Sequence, residues 1–310
     1  MSRIAFLFPG QGSQSSGMGK SLYESFPAAR KVFEQADESL GFDISRLCFE
    51  GPGEDLKLTA NTQPAILTVS IAALAVLAHQ GVHAGCVAGH SLGEYSALVA
   101  ADSLTFPDAV SLVRKRGQYM QEAVPTGVGA MAALLKLPLD RLDPLLAEAA
   151  QGEIVTAANF NSPDQIVIAG HAGAVGRVVE LAKSAGARRA VLLPVSAPFH
   201  CPLMKPAQQR LAADLDATRF NDLSIPLVNN WQAREIRSAS EAREGLFEQV
   251  PNPVYWTDTI RLMASRGVTT FIEVGPGNVL SGLLRNIDST LTALKFGEAQ
   301  DLEKLLATIA

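Results

Sequence analysis

The chain has 310 residues, of which 47% are hydrophobic and 18% are charged. This composition excludes a disordered chain, and the length predicts about two domains, or one large α/β unit with an insertion. The net charge of −5 argues against nucleic acid as the main ligand, because phosphate binding favours clustered lysine and arginine.

Cysteine content and apolar segments narrow the class of protein further. Cys48, Cys86 and Cys201 form no Cys-x-x-Cys pair, so the sequence predicts neither a disulfide framework nor a zinc ribbon. The N-terminal apolar run is too short for a secretory signal, and the most apolar stretch, Ala65–Ala78, is shorter than the span of about 20 residues that a bilayer needs. We therefore expect a cytoplasmic protein with no metal or other cofactor and no membrane segment.

The first part of the chain predicts strands alternating with helices. Short apolar runs ended by glycine indicate buried strands, and longer segments with helical spacing indicate helices. In chain order these are a strand at Ile4–Phe8, helices at Ser21–Leu40 and Asn61–Ala78, a strand at Cys86–Gly89, and helices at Glu94–Ala101 and Pro107–Glu122. Pro64 is expected in the first turn of its helix, where a missing N–H is tolerated.

The middle of the chain predicts a separate module. Its strands are expected at Gly127–Leu137, Ile154–Asn161, Gln165–Ala169 and Ala190–Val195, and its helices at Leu139–Ala150 and Ala174–Ala185. This β-α-β-β-α-β order is typical of a ferredoxin-like unit. One more strand is expected at Thr269–Val274, before a Gly-Pro-Gly turn. We therefore predict a ferredoxin-like subdomain at 126–197, inserted into a large α/β domain formed by 1–125 and 198–310.

Two glycine-containing segments imitate nucleotide-binding loops. A dinucleotide fingerprint after the first strand would need glycine or alanine at the position of Ser15, and an acidic residue at a strand end about 20 residues later. The Gly19-Lys20-Ser21 segment has Gln14 where a phosphate-binding P-loop requires glycine. The sequence therefore favours a tight turn over either nucleotide site.

The strongest motif is Gly89-His90-Ser91-Leu92-Gly93, a G-x-S-x-G pentapeptide between a predicted strand and a predicted helix. This is the context of a nucleophile elbow, in which a sharp turn exposes the serine hydroxyl at the start of the next helix. The helix N-terminus favours developing negative charge and offers free amides to an oxyanion. The pattern therefore predicts Ser91 as a catalytic nucleophile.

A serine nucleophile needs a base, and the chain has five histidines. His90 neighbours the serine and is expected to point away from it, whereas His79 and His83 flank a connection and are expected at the surface. His171, in the inserted module, and His200, where the chain returns from it, remain. The sequence favours His200 and shows no obvious acid to complete a triad.

Three consecutive basic residues, Arg114, Lys115 and Arg116, lie on the helix that follows the elbow. A solvated helix face is the ordinary expectation, above all for the first two. One of the three can instead turn inward and bind a carboxylate, because arginine binds carboxylates bidentately. The sequence alone does not choose among them.

Seven motifs then stand in one order along the chain. They are FPGQGSQ at 8–14, TQPA at 62–65, GHSLGEYSA at 89–97, RGQYMQ at 116–121, NFNSP at 159–163, PFH at 198–200 and EVGPG at 273–277. Together, from about residue 4 to residue 290, they strongly resemble the malonyl-CoA:acyl carrier protein transacylases. The resemblance implies an α/β-hydrolase-like large domain with an inserted ferredoxin-like subdomain. It also implies malonyl transfer from malonyl-CoA to the phosphopantetheine thiol of acyl carrier protein, for fatty-acid synthesis.

The resemblance further implies which residues perform the transfer. Ser91 would be the nucleophile that carries the malonyl ester, and His200 would be the base. The backbone amides of Gln11 and Leu92 would form the oxyanion hole. The family lacks a triad acid, and here the backbone carbonyl of Gln249 would orient the histidine instead.

Three further residues are implied to contact the acyl group. Arg116, rather than Arg114, would pair with the malonyl carboxylate, and Gln63 and Phe199 would also bind the substrate. In related polyketide acyltransferase domains a phenylalanine just before the histidine accompanies malonyl, whereas a smaller residue accompanies methylmalonyl. The bulky ring leaves no room for a branch at the α-carbon, so Phe199 favours malonyl.

The partners follow from the same resemblance. The resemblance implies an acidic carrier protein, so docking requires a local basic patch on this protein. Lys183, Arg188 and Arg189 are candidates for that patch. The alternative is that they are ordinary solvent-exposed charges with no role in docking. Nucleic acid and membrane are not expected as partners, and a monomer is expected. The alternatives are the same chemistry serving a polyketide synthase or a malonate decarboxylase, a serine esterase or thioesterase, and a subunit that only docks carrier protein.

Overall fold

The computed structural model describes residues 4–195 and 197–309, which form two β-sheets flanked by helices. The strands are β1 (Ile4–Phe8), β2 (Cys86–Gly89), β3 (Gly129–Leu135), β4 (Val155–Ser162), β5 (Gln165–His171), β6 (Arg189–Leu192), β7 (Leu227–Val228), β8 (Glu235–Ile236), β9 (Thr270–Val274) and β10 (Thr292–Phe296). The α-helices are α1 (Lys20–Ser25), α2 (Pro27–Leu40), α3 (Ile44–Glu50), α4 (Gly53–Lys57), α5 (Thr59–His79), α6 (Gly93–Ala100), α7 (Phe106–Glu122), α8 (Leu142–Ala150), α9 (Ala172–Leu181), α10 (Lys205–Ala217), α11 (Ala239–Gln249), α12 (Trp256–Ser265), α13 (Val279–Ile287) and α14 (Asp301–Ile309). Short 3₁₀ helices lie at Leu139–Arg141 and Pro202–Met204.

The larger sheet positions the predicted elbow. Its strand order is β10-β9-β1-β2-β7-β8, and every pair is parallel except β7 with β8. Strands β1 and β2 end side by side, with Phe8 opposite Gly89. Parallel strands deliver the loops after them to one edge of the sheet, where sites in α/β proteins form. The loop that holds Gln11 therefore meets the turn that holds Ser91.

The central helix of the core is α5. By length and composition it is apolar enough to cross a membrane, but 78% of its apolar stretch is buried inside the protein. The helix begins at Thr59, so Pro64 lies inside it rather than in its first turn, contrary to the prediction. The additional residues at the start of the helix are stabilised by burial of their side chains. The Thr62 hydroxyl also donates a hydrogen bond to the Leu56 carbonyl at 2.6 Å. Tertiary packing here overrides the local preference of proline.

The smaller sheet is antiparallel, with strand order β4-β5-β3-β6. Along the chain its elements run β3-α8-β4-β5-α9-β6, which matches the predicted order. Helices α8 and α9 pack with this sheet around an apolar cluster of its own. A parallel bridge between Asn159 and Val254 joins the sheet to the other part of the protein.

The predicted helix Ser21–Leu40 is wrong as a single element, because the chain breaks at Phe26 into α1 and α2. Phe26 is extended (φ −129°, ψ 117°). The residue before a proline is disfavoured in the helical region, and Pro27 follows it. Residues 1–3 and 310 of the predicted large domain, and Ser196 of the predicted subdomain, lie outside the described residues.

Candidate active site

Ser91 occupies a tight turn between β2 and α6. Its φ is 53°, in the left-handed region that non-glycine residues rarely adopt. A Cβ atom at Gly93 would lie 2.1 Å from the Phe8 carbonyl oxygen, and one at Gly89 would lie 1.9 Å from the Gly93 carbonyl oxygen. Gly93 is therefore required for the turn to pack against the end of β1, and Gly89 is required for the turn to close on the start of α6, as the elbow motif predicts.

The structure brings Ser91 and His200 together from positions 109 residues apart. Ser91 Oγ lies 2.7 Å from His200 Nε2, and His200 Nδ1 lies 2.9 Å from the carbonyl oxygen of Gln249, the last residue of α11. A carbonyl only accepts hydrogen bonds, so Nδ1 carries the proton and Nε2 is left as the acceptor for the serine hydroxyl. This is the geometry of an activated nucleophile.

The protonation state of His200 fits a base. Burial, and then the nearby Arg116 cation, lower the pKa of His200 from its usual 6.5 to about 3. The imidazole is therefore neutral at neutral pH, which is the form that accepts a proton.

The other histidine that the sequence left open is not at the site. His171 Nδ1 accepts a hydrogen bond from the Ile154 backbone N–H at 2.9 Å in the smaller sheet. His90, next to the serine, bonds to Asn161 instead, with Nε2 and Oδ1 2.8 Å apart. His200 therefore contacts Ser91, and His171 has a backbone partner elsewhere.

Arg116 is the basic residue of α7 that turns inward. It is 1% exposed, and its Nη1 donates to Gln63 Oε1 at 2.7 Å. Its Nη2 donates to Gln249 Oε1 at 2.8 Å and to Ser91 Oγ at 3.2 Å. Arg116 Nε has no partner among the described residues, so the guanidinium retains an unused donor.

The two preceding basic residues lie elsewhere. Arg114 hydrogen-bonds to Asn61 and lies over the ring of Phe42, and Lys115 pairs with Asp214 at 2.5 Å. Lys115 is exposed and Arg114 is half-buried, and neither hydrogen-bonds to Ser91 or His200, which leaves Arg116 as the cation of the site.

A cavity of about 110 Å³ opens at Ser91. Its lining includes seven residues that the sequence analysis singled out, which are Gln11, Gln63, Ser91, Leu92, Arg116, Phe199 and His200. The backbone amides of Gln11 and Leu92 donate to no acceptor within 4–195 and 197–309. A nucleophile, a base, two free amides and a buried cation together suit transfer of an acyl group that carries a negative charge.

Comparison with known proteins agrees with this chemistry. The family profile described as "Acyl transferase domain" matches residues 5–303. The chain belongs to the acyl transferase family. Malonyl CoA-acyl carrier protein transacylases from Bacillus subtilis and Escherichia coli K12 are both 48% identical, over 100% and 96% of this chain and 98% and 97% of their own lengths. The resemblance predicted from the seven motifs is confirmed.

Solved structures extend the comparison to the fold. An acyl carrier protein S-malonyltransferase from Vibrio cholerae superposes with a TM-score of 0.96 at 44% identity, over 98% of this chain and all of that one. A malonyl-transacylase in complex with a type II polyketide synthase acyl carrier protein superposes equally well, at 44% identity, over 99% of this chain and all of that one. The mixed α/β fold is therefore that of the acyl transferases.

Sequence reasoning missed Asn230, whose side chain holds the turn around Ser91 in this acyl transferase. Its Oδ1 accepts from the Ser91 backbone N–H and its Nδ2 donates to the Gly89 carbonyl, both at 2.7 Å. Asn230 follows β7, the parallel neighbour of β2, so a polar residue just beyond a buried strand was the available signal.

Sequence reasoning also missed Glu94, although it lies within the GHSLGEYSA motif. The side chain is fully buried in the first turn of α6, and its Oε2 accepts from Gln249 Nε2 at 2.8 Å and from the Asn230 backbone N–H at 3.1 Å. Burial raises the pKa of Glu94 to about 7. The described residues contain no group of three or more His, Cys, Asp or Glu that could hold a metal ion.

Proposed function

We propose that this protein transfers the malonyl group of malonyl-CoA to the phosphopantetheine thiol of acyl carrier protein, for fatty-acid synthesis. The observation that carries the proposal is the position of Ser91 Oγ, which lies 2.7 Å from His200 Nε2 and 3.2 Å from Arg116 Nη2. One hydroxyl thus meets both a base and a buried cation that suits a free carboxylate. The names of the relatives support the same acyl donor and acceptor.

The first half-reaction acylates the enzyme. His200 Nε2 takes the Ser91 proton as Oγ attacks the thioester carbonyl, and the amides of Gln11 and Leu92 stabilise the oxyanion. Collapse of this intermediate breaks the C–S bond. CoA leaves with the proton from His200, and the malonyl group remains as an ester on Ser91.

The second half-reaction returns the enzyme to its starting state. The phosphopantetheine thiol gives its proton to His200 and attacks the ester carbonyl. The C–O bond to Ser91 breaks, and His200 returns the proton to the serine oxygen. The acyl thioester then leaves on the carrier protein, so the mechanism is ping-pong.

The acyl group is selected at its two ends. The carboxylate pairs with Arg116, which Gln63 supports at 2.7 Å. Phe199, which lines the cavity beside His200, excludes a branch at the α-carbon and favours malonyl over methylmalonyl.

The finer fold assignment belongs to the same proposal. We assign 1–125 and 198–310 to an α/β-hydrolase-like domain and 126–197 to a ferredoxin-like subdomain. The antiparallel order β4-β5-β3-β6 and the chain order of that module support the second assignment. We further propose that the protein is a cytoplasmic monomer, that it uses no cofactor, and that it binds neither nucleic acid nor membrane.

Carrier-protein docking uses exposed basic residues of the smaller-sheet module in this proposal. Lys183, Arg188 and Arg189 are exposed, and Arg189 begins β6, an edge strand of the smaller sheet. Reversing the charge of Arg188 and Arg189 should raise the KM for carrier protein and leave that for malonyl-CoA unchanged. Lys304→Glu, on α14, is the matched surface control. An unchanged KM for carrier protein would remove these residues from the docking surface.

A second candidate is the same transfer serving polyketide synthesis. The specific observation is the similar malonyl-transacylase that was solved with a type II polyketide synthase carrier protein. Assays with carrier proteins of both kinds separate the two pathways, because the better acceptor should have the higher kcat/KM.

Intact-protein mass spectrometry tests the function directly. The protein is incubated briefly with malonyl-, methylmalonyl- and acetyl-CoA in competition, with Ser91→Ala as the control. We expect a single malonyl adduct that is lost in the control and discharged by carrier protein. CoA release without an adduct would indicate an esterase or thioesterase, and neither product would indicate a subunit that only docks carrier protein.

A further inference from the structure

The side chain of Gln249 connects several parts of the site that its backbone carbonyl does not reach. Its Oε1 accepts from Arg116 Nη2 at 2.8 Å. Its Nε2 donates to the Ser91 carbonyl at 3.0 Å and to Glu94 Oε2 at 2.8 Å. The amide therefore lies between the cation of the site and a buried carboxylate.

Glu94 is one of two acceptors that fix the orientation of this amide. An amide has one accepting and one donating end, and only the accepting end satisfies a guanidinium. The carboxylate and the Ser91 carbonyl accept both N–H groups of the Gln249 amide, which leaves its oxygen facing Arg116. Without an acceptor at position 94, one N–H group of the Gln249 amide would be unsatisfied and only the Ser91 carbonyl would hold its nitrogen, so the amide would hold the Arg116 guanidinium less firmly.

We propose that Glu94 is a positioning residue for acyl-carboxylate recognition, because it orients the Gln249 amide that holds the Arg116 guanidinium beside Ser91. The inference rests on the proposed function, in which Arg116 receives the malonyl carboxylate. The hydrogen bonds of the Glu94 side chain go to Gln249 and to the Asn230 backbone N–H, not to Ser91 Oγ or His200. Its effect should therefore fall on the choice of acyl group rather than on the serine and the base.

Three substitutions separate positioning from general support of the fold. Glu94→Gln keeps a side-chain oxygen for Gln249 and for the Asn230 amide, and Glu94→Met fills a similar volume without an acceptor. Glu94→Asp keeps the negative charge but moves the carboxylate away from Gln249 by one methylene. This variant replaces Glu94→Met in the test if Glu94→Met does not fold. The matched control is Glu273→Met, because Glu273 is also fully buried and accepts from two backbone amides at the start of α13.

The measurement is the rate of Ser91 acylation by malonyl-CoA and by acetyl-CoA, per active site counted by covalent serine labelling. We expect Glu94→Met to lower the malonyl-to-acetyl ratio about tenfold, the order expected for losing a hydrogen bond to a charged group. Glu94→Asp should lower it less, and Glu94→Gln should keep the wild-type ratio. Glu273→Met should also keep it, even if it lowers stability.

Three outcomes would overturn the inference. They are a wild-type ratio in a folded Glu94→Met or Glu94→Asp variant, a loss in Glu94→Gln as large as that in Glu94→Met, and an equal loss in Glu273→Met. Failure of the proposed function is distinguishable, since the wild-type protein would then form no malonyl adduct at all.

Discussion

The Nδ1 atom of His200 lies 2.9 Å from the carbonyl oxygen of Gln249. A neutral carbonyl orients the imidazole, as a triad aspartate does, but it stabilises the imidazolium less than a carboxylate would. Burial and the Arg116 cation therefore dominate, and the pKa of His200 falls to about 3. Two pH-dependent properties follow from this shift.

The first property is the reactivity of Ser91. Because His200 stays neutral, labelling of Ser91 by a neutral fluorophosphonate should keep a constant rate from about pH 8 down to about pH 5. Ser91→Ala provides the blank. A loss of labelling with a midpoint near 6.5, the usual pKa of histidine, would contradict the predicted shift.

The second property is the free energy of unfolding. The unfolded chain protonates this histidine below pH 6.5, whereas the folded protein keeps it neutral to about pH 3. The unfolded state then binds more protons, so stability falls as the pH drops through this window, by up to about 1.4 kcal/mol per pH unit. Urea titrations of wild type and His200→Asn should diverge in this way. Parallel pH profiles would refute the assignment.

Arg116→Ala should remove the preference for a carboxylate-bearing acyl group. We expect malonyl acylation of Ser91 to fall about 100-fold, because a charged hydrogen-bonded pair is lost, while acetyl acylation changes little. Competition between malonyl- and acetyl-CoA, with adducts quantified by mass, measures this. Arg114→Ala, on the same helix, is the control and should behave as wild type. An Arg116→Ala variant that still preferred malonyl would argue against the role.

Asn230→Ala should loosen the turn that holds Ser91, and should therefore slow acylation of Ser91 by every acyl donor. A fully buried side chain loses both of its hydrogen bonds to the turn, so we expect the free energy of unfolding to fall by about 2–4 kcal/mol. Acylation by malonyl- and acetyl-CoA should slow by the same factor, as measured with single-turnover kinetics. The adjacent, equally buried Asn229 bonds to the Arg234 backbone N–H instead, so Asn229→Ala should lower stability without slowing acylation per active site. A change in acyl preference in Asn230→Ala would contradict the role of Asn230 in holding the turn at Ser91.

Phe199→Ala should open the cavity to a branched acyl group. We expect the ratio of methylmalonyl to malonyl acylation to rise by about tenfold, since one methyl group in a fitted pocket has an effect of this order. The malonyl rate in the same variant is the internal reference for any disturbance of neighbouring His200. An unchanged ratio would mean that another part of the cavity excludes the branch.

Local features of the site were predictable because each is encoded within a few residues. The glycines around Ser91 are needed for a turn whose backbone approaches β1 closely, and strand, turn and helix are continuous in sequence. The element order of the smaller sheet was predictable for the same reason, since apolar periodicity is a local property. The helix break at Phe26 was readable too, from Pro27, but the apolar pattern ran across it.

The elbow, the candidate base and the family to which the chain is similar could all be predicted from the amino-acid residues alone. The tertiary structure decided which basic residue of α7 faces inward, because Gly117 lets this helix approach α5 so closely that a Cβ there would lie 2.6 Å from the Thr59 carbonyl oxygen. It also decided the partners of Gln249 and Asn230, which lie more than 100 residues from the elbow in sequence. Such hydrogen bonds depend on how whole elements pack, and no local pattern of residues encodes that packing.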